Sequence, residues 1–162
     1  MIILLLILSY LIGSISFGYL IAKSTKGVDI RKIGSGSSGA TNTSRVLGLK
    51  FFAVVLVLDA LKGLFVFLLA SYLLTETWAI LLCCGLVIVG HNWPIFFAFQ
   101  GGRGVATTLG VFLGIAPLPA LIVFGLFILI VFLTRYVSLG SIMGAIAIPV
   151  TILILHFPRE YF

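Results

Sequence analysis

The sequence predicts an all-α integral membrane protein with six transmembrane helices, and three observations lead there. Of its 162 residues, 62% are hydrophobic and only 9% are charged. An ordinary soluble domain has about 45–50% apolar and about 25% charged residues. The mean hydropathy is +1.34, so a folded chain of this length has too few polar groups to cover its surface. The apolar residues also gather into runs of membrane-spanning length. A soluble single domain is thereby excluded, and so is disorder, which needs low hydrophobicity and high net charge.

A transmembrane helix needs roughly 17–25 apolar residues. Ile2–Ala22 qualifies, as does Phe51–Tyr72 apart from Asp59 and Lys62, and Trp78 to about Phe99 makes a third. Gly104–Ile115 is short, roughly 18 Å at 1.5 Å per residue. Pro117 and Pro119 interrupt the run, after which Leu118–Leu133 and Leu139–Leu155 supply two more spans. The N-terminus lacks a basic n-region and a small-residue cleavage site, so it reads as a retained span, not a signal peptide.

Charge decides the short segment. The chain has ten basic and four acidic residues, a net charge of +6. If every segment crosses, the loops of one side carry Lys23, Lys26, Arg31, Lys32, Arg45, Lys50, Arg103 and Arg135. The other side has Arg159, and Lys62 lies within a span. The positive-inside rule therefore favours six crossings, with both termini outside and the basic loops in the cytoplasm. Cys83 and Cys84 are adjacent in an apolar run, which suits small core or lipid-facing side chains and not a C-x-x-C ligand pair.

The chain divides into no soluble domain, linker or repeat, and is read as a single membrane-embedded domain over 1–162. Its informative parts are three loops, Lys23–Lys50, His91–Thr108 and Thr134–Ser141. The first contains Gly34-Ser35-Gly36-Ser37-Ser38-Gly39-Ala40-Thr41-Asn42-Thr43-Ser44-Arg45. Small residues with free N–H groups and hydroxyls suit a concave anion cradle, although no Walker lysine follows. A helix after Gly39 would put Thr41 and Arg45 at i, i+4 on one face, where Arg45 grips a phosphate bidentately. A flexible interfacial loop meeting lipid head groups is the plainer alternative. The second loop, Phe99-Gln100-Gly101-Gly102-Arg103-Gly104-Val105-Ala106-Thr107, sets glycines around one arginine ahead of a helix start, an arrangement that also suits an anion.

The remaining polar residues are read more plainly. His91 near a span end is a hydrogen-bonding group or a ligand to substrate. Asp59 and Lys62, at i, i+3 within a span, are a mutually paired structural couple. Ser138 and Ser141 are one helical turn apart and would face the same site as Ser35. His156 would fall on the outer face. No nucleophile elbow, Ser-His-carboxylate constellation, paired catalytic carboxylates or metal-ligating cluster is visible. A phosphate-handling site here would act by positioning and positive electrostatics, with the nucleophile coming from a substrate.

Gly13-Ser14-Ile15 through Phe17-Gly18, Gly34-Ser35-Gly36, and Gly39-Ala40-Thr41-Asn42 with Arg45 resemble the first motif of the bacterial PlsY family. These are the membrane acyl-phosphate:glycerol-3-phosphate acyltransferases. Asp59-Ala60-Leu61-Lys62-Gly63, Gly90-His91 with Pro94, Phe99–Thr107 and Arg135–Ser141 match the family in the same order. The resemblance implies acyl transfer from acyl phosphate to the 1-hydroxyl of glycerol 3-phosphate, yielding lysophosphatidic acid and phosphate in phospholipid synthesis. It implies no cofactor, metal or nucleic acid, and a place in the cytoplasmic (inner) membrane with the acyl tail between spans. It further implies catalytic roles for Ser35, Arg45, Arg103 and Ser141. Substrate or phosphate binding would fall to Gly36, Ser37, Gly39, Thr41, Asn42, Gly101, Gly102, Gly104, Thr107, His91 and Ser138.

Three departures stand out. Arg103 replaces the family's usual lysine and Ser37 its usual asparagine. The family also continues into a seventh span and a cytoplasmic segment whose His and Asn join the site, which His156-Phe157-Pro158-Arg159 does not match. On that reading this chain is expected to be much less active than one carrying the seventh span. A non-catalytic relative that binds glycerol phosphate or lipid, and a small anion transporter, are the competing functions.

Overall fold

The computed structural model describes residues 1–155. His156 and Arg159, on which two of the expectations above rest, lie outside the described residues. The chain forms two compact units, one from Met1 to Val111 and one from Phe112 onward. Every regular element among the described residues is helical. Five segments are long and apolar enough to cross a membrane, and a sixth apolar helix of 11 residues is shorter.

In the first unit, α1 (Ile2–Gly13) and α2 (Phe17–Lys26) make up one apolar segment broken at Ser14–Ser16. The uninterrupted hydropathy of this run hides that break, whose physics lies elsewhere in the chain. A break at membrane depth frees backbone carbonyls that hydrocarbon cannot solvate. Two of them, Gly13 O and Ile15 O, accept hydrogen bonds at 3.1 and 2.9 Å from the Lys62 ammonium. Ser14 Oγ returns to Tyr10 O at 2.9 Å.

The first loop then leads through a 3-10 turn at Ile30–Lys32 into α3 (Ala40–Leu47), and α4 (Leu49–Leu73) follows directly. The α-helical part of the next span, α5 (Thr77–Asn92), ends seven residues earlier than the apolar run suggested. Pro94 is the cause: it disfavours helical backbone at Trp93, whose φ/ψ are −128/70°. A single 3-10 turn, Ile95–Phe97, follows, and then Ala98 and Phe99 both take left-handed backbone, with φ of 53 and 59°. Such conformations cost about 1–3 kcal/mol each in a residue with a side chain. This strained corner leads into the second glycine-rich loop and α6 (Val105–Ile115).

Helices associating in lipid lack a hydrophobic driving force, so close approach by small residues matters more. A Cβ on Gly13 would run into Val87 O, and one on Gly90 into Tyr10 O, so α1 and α5 touch backbone to backbone. Gly63 and Gly110 do the same for α4 and α6, against Thr107 O and Ala60 O. Val55, Val66, Ala79, Cys83 and Val87 are buried between helices, and Cys83 and Cys84 are both free thiols in that interior. Ile3, Ile7, Val57, Phe65, Leu68 and Trp78 are each more than half exposed, an outer surface suited to acyl chains.

The second unit carries α7 (Pro117–Thr134) and α8 (Val137–Ile154), packed together and joined by a two-residue turn. The apolar run is interrupted at Pro117 and Pro119 as expected: α6 ends at Ile115 and α7 begins at Pro117, with both prolines in its first turn, where a missing N–H costs nothing. Arg135 ends α7 in left-handed backbone, φ 63°, with its N–H on Val131 O at 2.9 Å. Gly140 in α8 faces Phe127 and Val131 of α7.

Candidate active site

The first loop is shaped around one buried amide. Asn42, on the first turn of α3, is 1% exposed. The two N–H groups of its Nδ2 are shared among three carbonyls, Ile33 O and Ser37 O at 2.9 Å and Ile30 O at 3.2 Å. Its Oδ1 accepts the Ser35 N–H at 3.1 Å. Asn42 was expected among the phosphate ligands, and the fold gives it a different task, because its polar atoms are already committed to holding residues 30–37 in a curl. Gly34 and Gly36, at φ 62 and 72°, supply the backbone that the curl requires. A Cβ on Gly34 would strike Asn42 Oδ1 itself.

The helix expected after Gly39 is present as α3, capped by Gly39, so Thr41 and Arg45 are four residues apart on it. Ser37 Oγ accepts the Gly39 N–H at 3.2 Å, and Thr43 Oγ1 ties Gly39 O at 3.1 Å. The hydroxyl of Ser35, exposed at the crest of the loop, makes no hydrogen bond among the described residues, nor does that of the half-buried Thr41.

The second loop is brought against the first. Ser38 N–H donates to Gly101 O at 3.2 Å, and Arg31 Nη1 donates to Phe97 O at 2.9 Å. Arg31 in turn pairs with Asp29 at 2.7 Å and lies over the Tyr19 ring at 4.7 Å. The Arg31 guanidinium holds the Asp29 carboxyl down at about 2, and Asp29 pushes Arg31 upward. Arg31 therefore acts as a clamp between the loops, a role that a sequence reading of it as an orienting charge does not capture. Arg45 and Arg103 are different: both are exposed, and neither has an ion pair or hydrogen bond among the described residues. Arg103 follows the Ser38–Gly101 joint by two residues.

Beneath the second loop lies a buried cluster. Lys62 Nζ is 2.8 Å from Asp59 Oδ1 and 2.9 Å from His91 Nδ1. All three residues are buried. Asp59 and Lys62 form the couple that their spacing suggested, and His91 joins them as a third member. The His91 backbone carbonyl accepts the Gly102 N–H at 3.0 Å, and its ring lies where a side chain on residue 102 would go. Gly101 packs on His91 O and Gly104, at φ 77°, packs on Asn92. Thr107 is fully buried on the first turn of α6, with Oγ1 unpartnered among the described residues.

The structure thus gathers Ser35, Gly36, Ser37, Gly39, Thr41, Asn42, Arg45, His91, Gly101, Gly102, Arg103, Gly104 and Thr107 into the first unit. Ser138 and Ser141 belong to the second, on the first turns of α8. There Ser138 is exposed and Ser141 Oγ donates to Val137 O at 2.9 Å. Chemically, the first unit offers two free guanidiniums, free hydroxyls and glycine-rich backbone, a set that binds and polarises anions without supplying an activated protein nucleophile.

Comparison with known proteins points the same way. Residues 3–162 match the family model described as glycerol-3-phosphate acyltransferase. A glycerol-3-phosphate acyltransferase of Desulforamulus reducens is 44% identical, with 98% of this chain and 80% of that protein covered. One of Shouchella clausii is 48% identical over 94% of this chain and 77% of the relative. A crystal structure of PlsY (YgiH), an integral membrane glycerol 3-phosphate acyltransferase in its glycerol 3-phosphate form, superposes with a TM-score of 0.90. It is 41% identical, covering 98% of this chain and 80% of that one. Its lysophosphatidic acid form gives 0.88, again at 41% identity, over 98% and 79%. A membrane-embedded helical fold, the joined glycine-rich loops and these similarities agree, and the chain belongs to the glycerol-3-phosphate acyltransferase family.

Proposed function

We propose that this protein transfers an acyl group from acyl phosphate to the 1-hydroxyl of glycerol 3-phosphate. The hydroxyl oxygen attacks the acyl carbonyl carbon, the bond from that carbon to the phosphate oxygen breaks, and the electron pair leaves with phosphate. The hydroxyl proton ends on the released phosphate, and the other product is lysophosphatidic acid. Acyl phosphate is a mixed anhydride that is already activated, so the protein's task is to hold two anions close together and neutralise the charge that develops.

Arg45 and Arg103 bind the phosphates, with the Ser35 and Thr41 hydroxyls and the backbone N–H groups of Gly101, Arg103 and Gly104 completing the cradle. Asn42 and Arg31 hold that cradle in shape. Roles for Ser138 and Ser141 rest on the family resemblance alone. The protein works in the bacterial cytoplasmic membrane with its N-terminus outside and the basic loops in the cytoplasm, as the one-sided positive charge supports. The observation that carries this reading is the Ser38–Gly101 hydrogen bond, which joins two glycine-rich segments that each bear an unpaired arginine.

The test is phosphate release by purified protein in detergent, given acyl phosphate and glycerol 3-phosphate. Release that needs both substrates and disappears in Arg45→Ala supports the enzyme. Glycerol phosphate flux into liposomes without release would replace it with transport.

A further inference from the structure

The buried cluster beneath the second loop fixes where a proton sits. A lysine ammonium has three N–H donors and no acceptor. Lys62 has three well-angled acceptors: Gly13 O at 3.1 Å, Ile15 O at 2.9 Å and His91 Nδ1 at 2.9 Å. Asp59 Oδ1 supplies the counter-charge at 2.8 Å, as an ion pair without hydrogen-bond geometry. A proton on Nδ1 would point at the ammonium's own proton, and the nearest alternative acceptor for it, Asp59 Oδ1, is 3.4 Å away. Nδ1 therefore carries its lone pair toward Lys62, and a neutral imidazole in that state bears its proton on Nε2.

Nε2 lies against Gly102 and has no hydrogen-bond partner among the described residues. The Gly102 N–H, a donor that such a turn would ordinarily offer an anion, is already bonded to His91 O. The residue that takes one donor from the turn thus has another in its ring, beside the same glycine. We infer that Lys62 locks His91 into the Nε2–H tautomer, making His91 a hydrogen-bond donor to the phosphate received at the Gly101–Gly102 turn and not a proton acceptor for the substrate hydroxyl. Lys62 and Asp59 are then positioning residues that act through His91. The inference rests on the reading of the second loop as a phosphate site.

The chain contains two histidines, so 15N-histidine NMR of the whole protein in detergent, with His156→Gln to assign the signals, reads the tautomer directly. The expected spectrum has a protonated Nε2 and a bare Nδ1 for His91, and glycerol 3-phosphate moves the Nε2 signal. In Asp59→Asn/Lys62→Met, which removes both buried charges together, the preference disappears and both tautomers are populated. A proton on Nδ1 in the unmodified protein, or an Nε2 signal indifferent to glycerol 3-phosphate, overturns the inference. Kinetics give a second reading. Losing a donor to a charged group costs about tenfold or more in affinity, so His91→Leu raises KM for glycerol 3-phosphate by at least that factor. His91→Gln, whose amide can donate, recovers most of it. A proton acceptor would show the opposite pattern, with kcat collapsing in both variants and KM held. Unmodified protein that releases no phosphate would refute the enzymatic reading while leaving the tautomer result standing.

Discussion

Replacing Asn42 with alanine separates an organising role from a substrate-binding one. The change removes the two N–H donors of Nδ2, shared among the carbonyls of Ile30, Ile33 and Ser37, and the acceptor of the Ser35 N–H, about three hydrogen bonds in all. A typical hydrogen bond contributes about 1 kcal/mol net. Only the bond to Ile30 O is fully buried, and the part-buried groups regain water when the loop opens. Roughly half of the gross loss, about 1.5 kcal/mol, should therefore appear as a weaker closed loop. At 1.36 kcal/mol per decade this lowers kcat/KM for glycerol 3-phosphate about tenfold. Phosphate release at varied glycerol 3-phosphate gives that ratio. Limited proteolysis without substrate then distinguishes the roles, since an organiser's loss exposes residues 34–39 to cleavage whereas a ligand's loss does not. An Asn42→Ala protein with kcat/KM within twofold of the unmodified chain, and an unchanged digestion pattern, would refute the argument.

Other outcomes follow from the same geometry. Gly110→Val drives a branched side chain into the Ala60 carbonyl and should abolish recovery of monodisperse protein in detergent, whereas Gly125→Ala, which meets open space, should leave thermal unfolding within a few degrees. Arg103→Lys keeps the charge but loses bidentate geometry, so KM for glycerol 3-phosphate should rise by a few-fold only; Arg103→Ala should raise it by tenfold or more. The Asp29 carboxyl, held at about 2 by Arg31 against an ordinary 3.8, has its folded-state value depressed. Its contribution is complete above about pH 4 and is lost as pH falls toward 2, so Asp29→Asn should flatten the pH dependence of thermal stability in that window alone.

The span pattern was legible because hydropathy and length decide it, and the five long segments lie within a few residues of the apolar runs. The helix carrying Thr41 and Arg45 was legible as well, since Gly39 is a good cap and the residues after it tolerate helix. The interruption at Ser14–Ser16 was hidden because what makes it tolerable, Lys62, is remote in sequence. The early end of α5 was readable in principle from Pro94, but the apolar residues beyond it concealed the signal. Asn42 was misjudged for a simpler reason. A short amide in a glycine-rich loop looks the same whether its partners are phosphates or its own backbone, and only burial tells them apart. His91 gave a better clue, because three ionisable groups at membrane depth in one small protein seldom stay apart.

Lys62 also constrains the order of assembly. Its two carbonyl partners precede it by 49 and 47 residues, so α1 and α2 enter the bilayer before anything exists to satisfy the groups at their junction. At that stage an unbroken helix is the cheaper state for this segment, because it bonds its own carbonyls. Asp59 and Lys62 arrive together on α4, each lowering the other's cost, and the Lys62 ammonium supplies the donors that Gly13 O and Ile15 O require. The broken shape of the first span is therefore not self-sufficient, because the donor that satisfies it comes from a helix later in the chain.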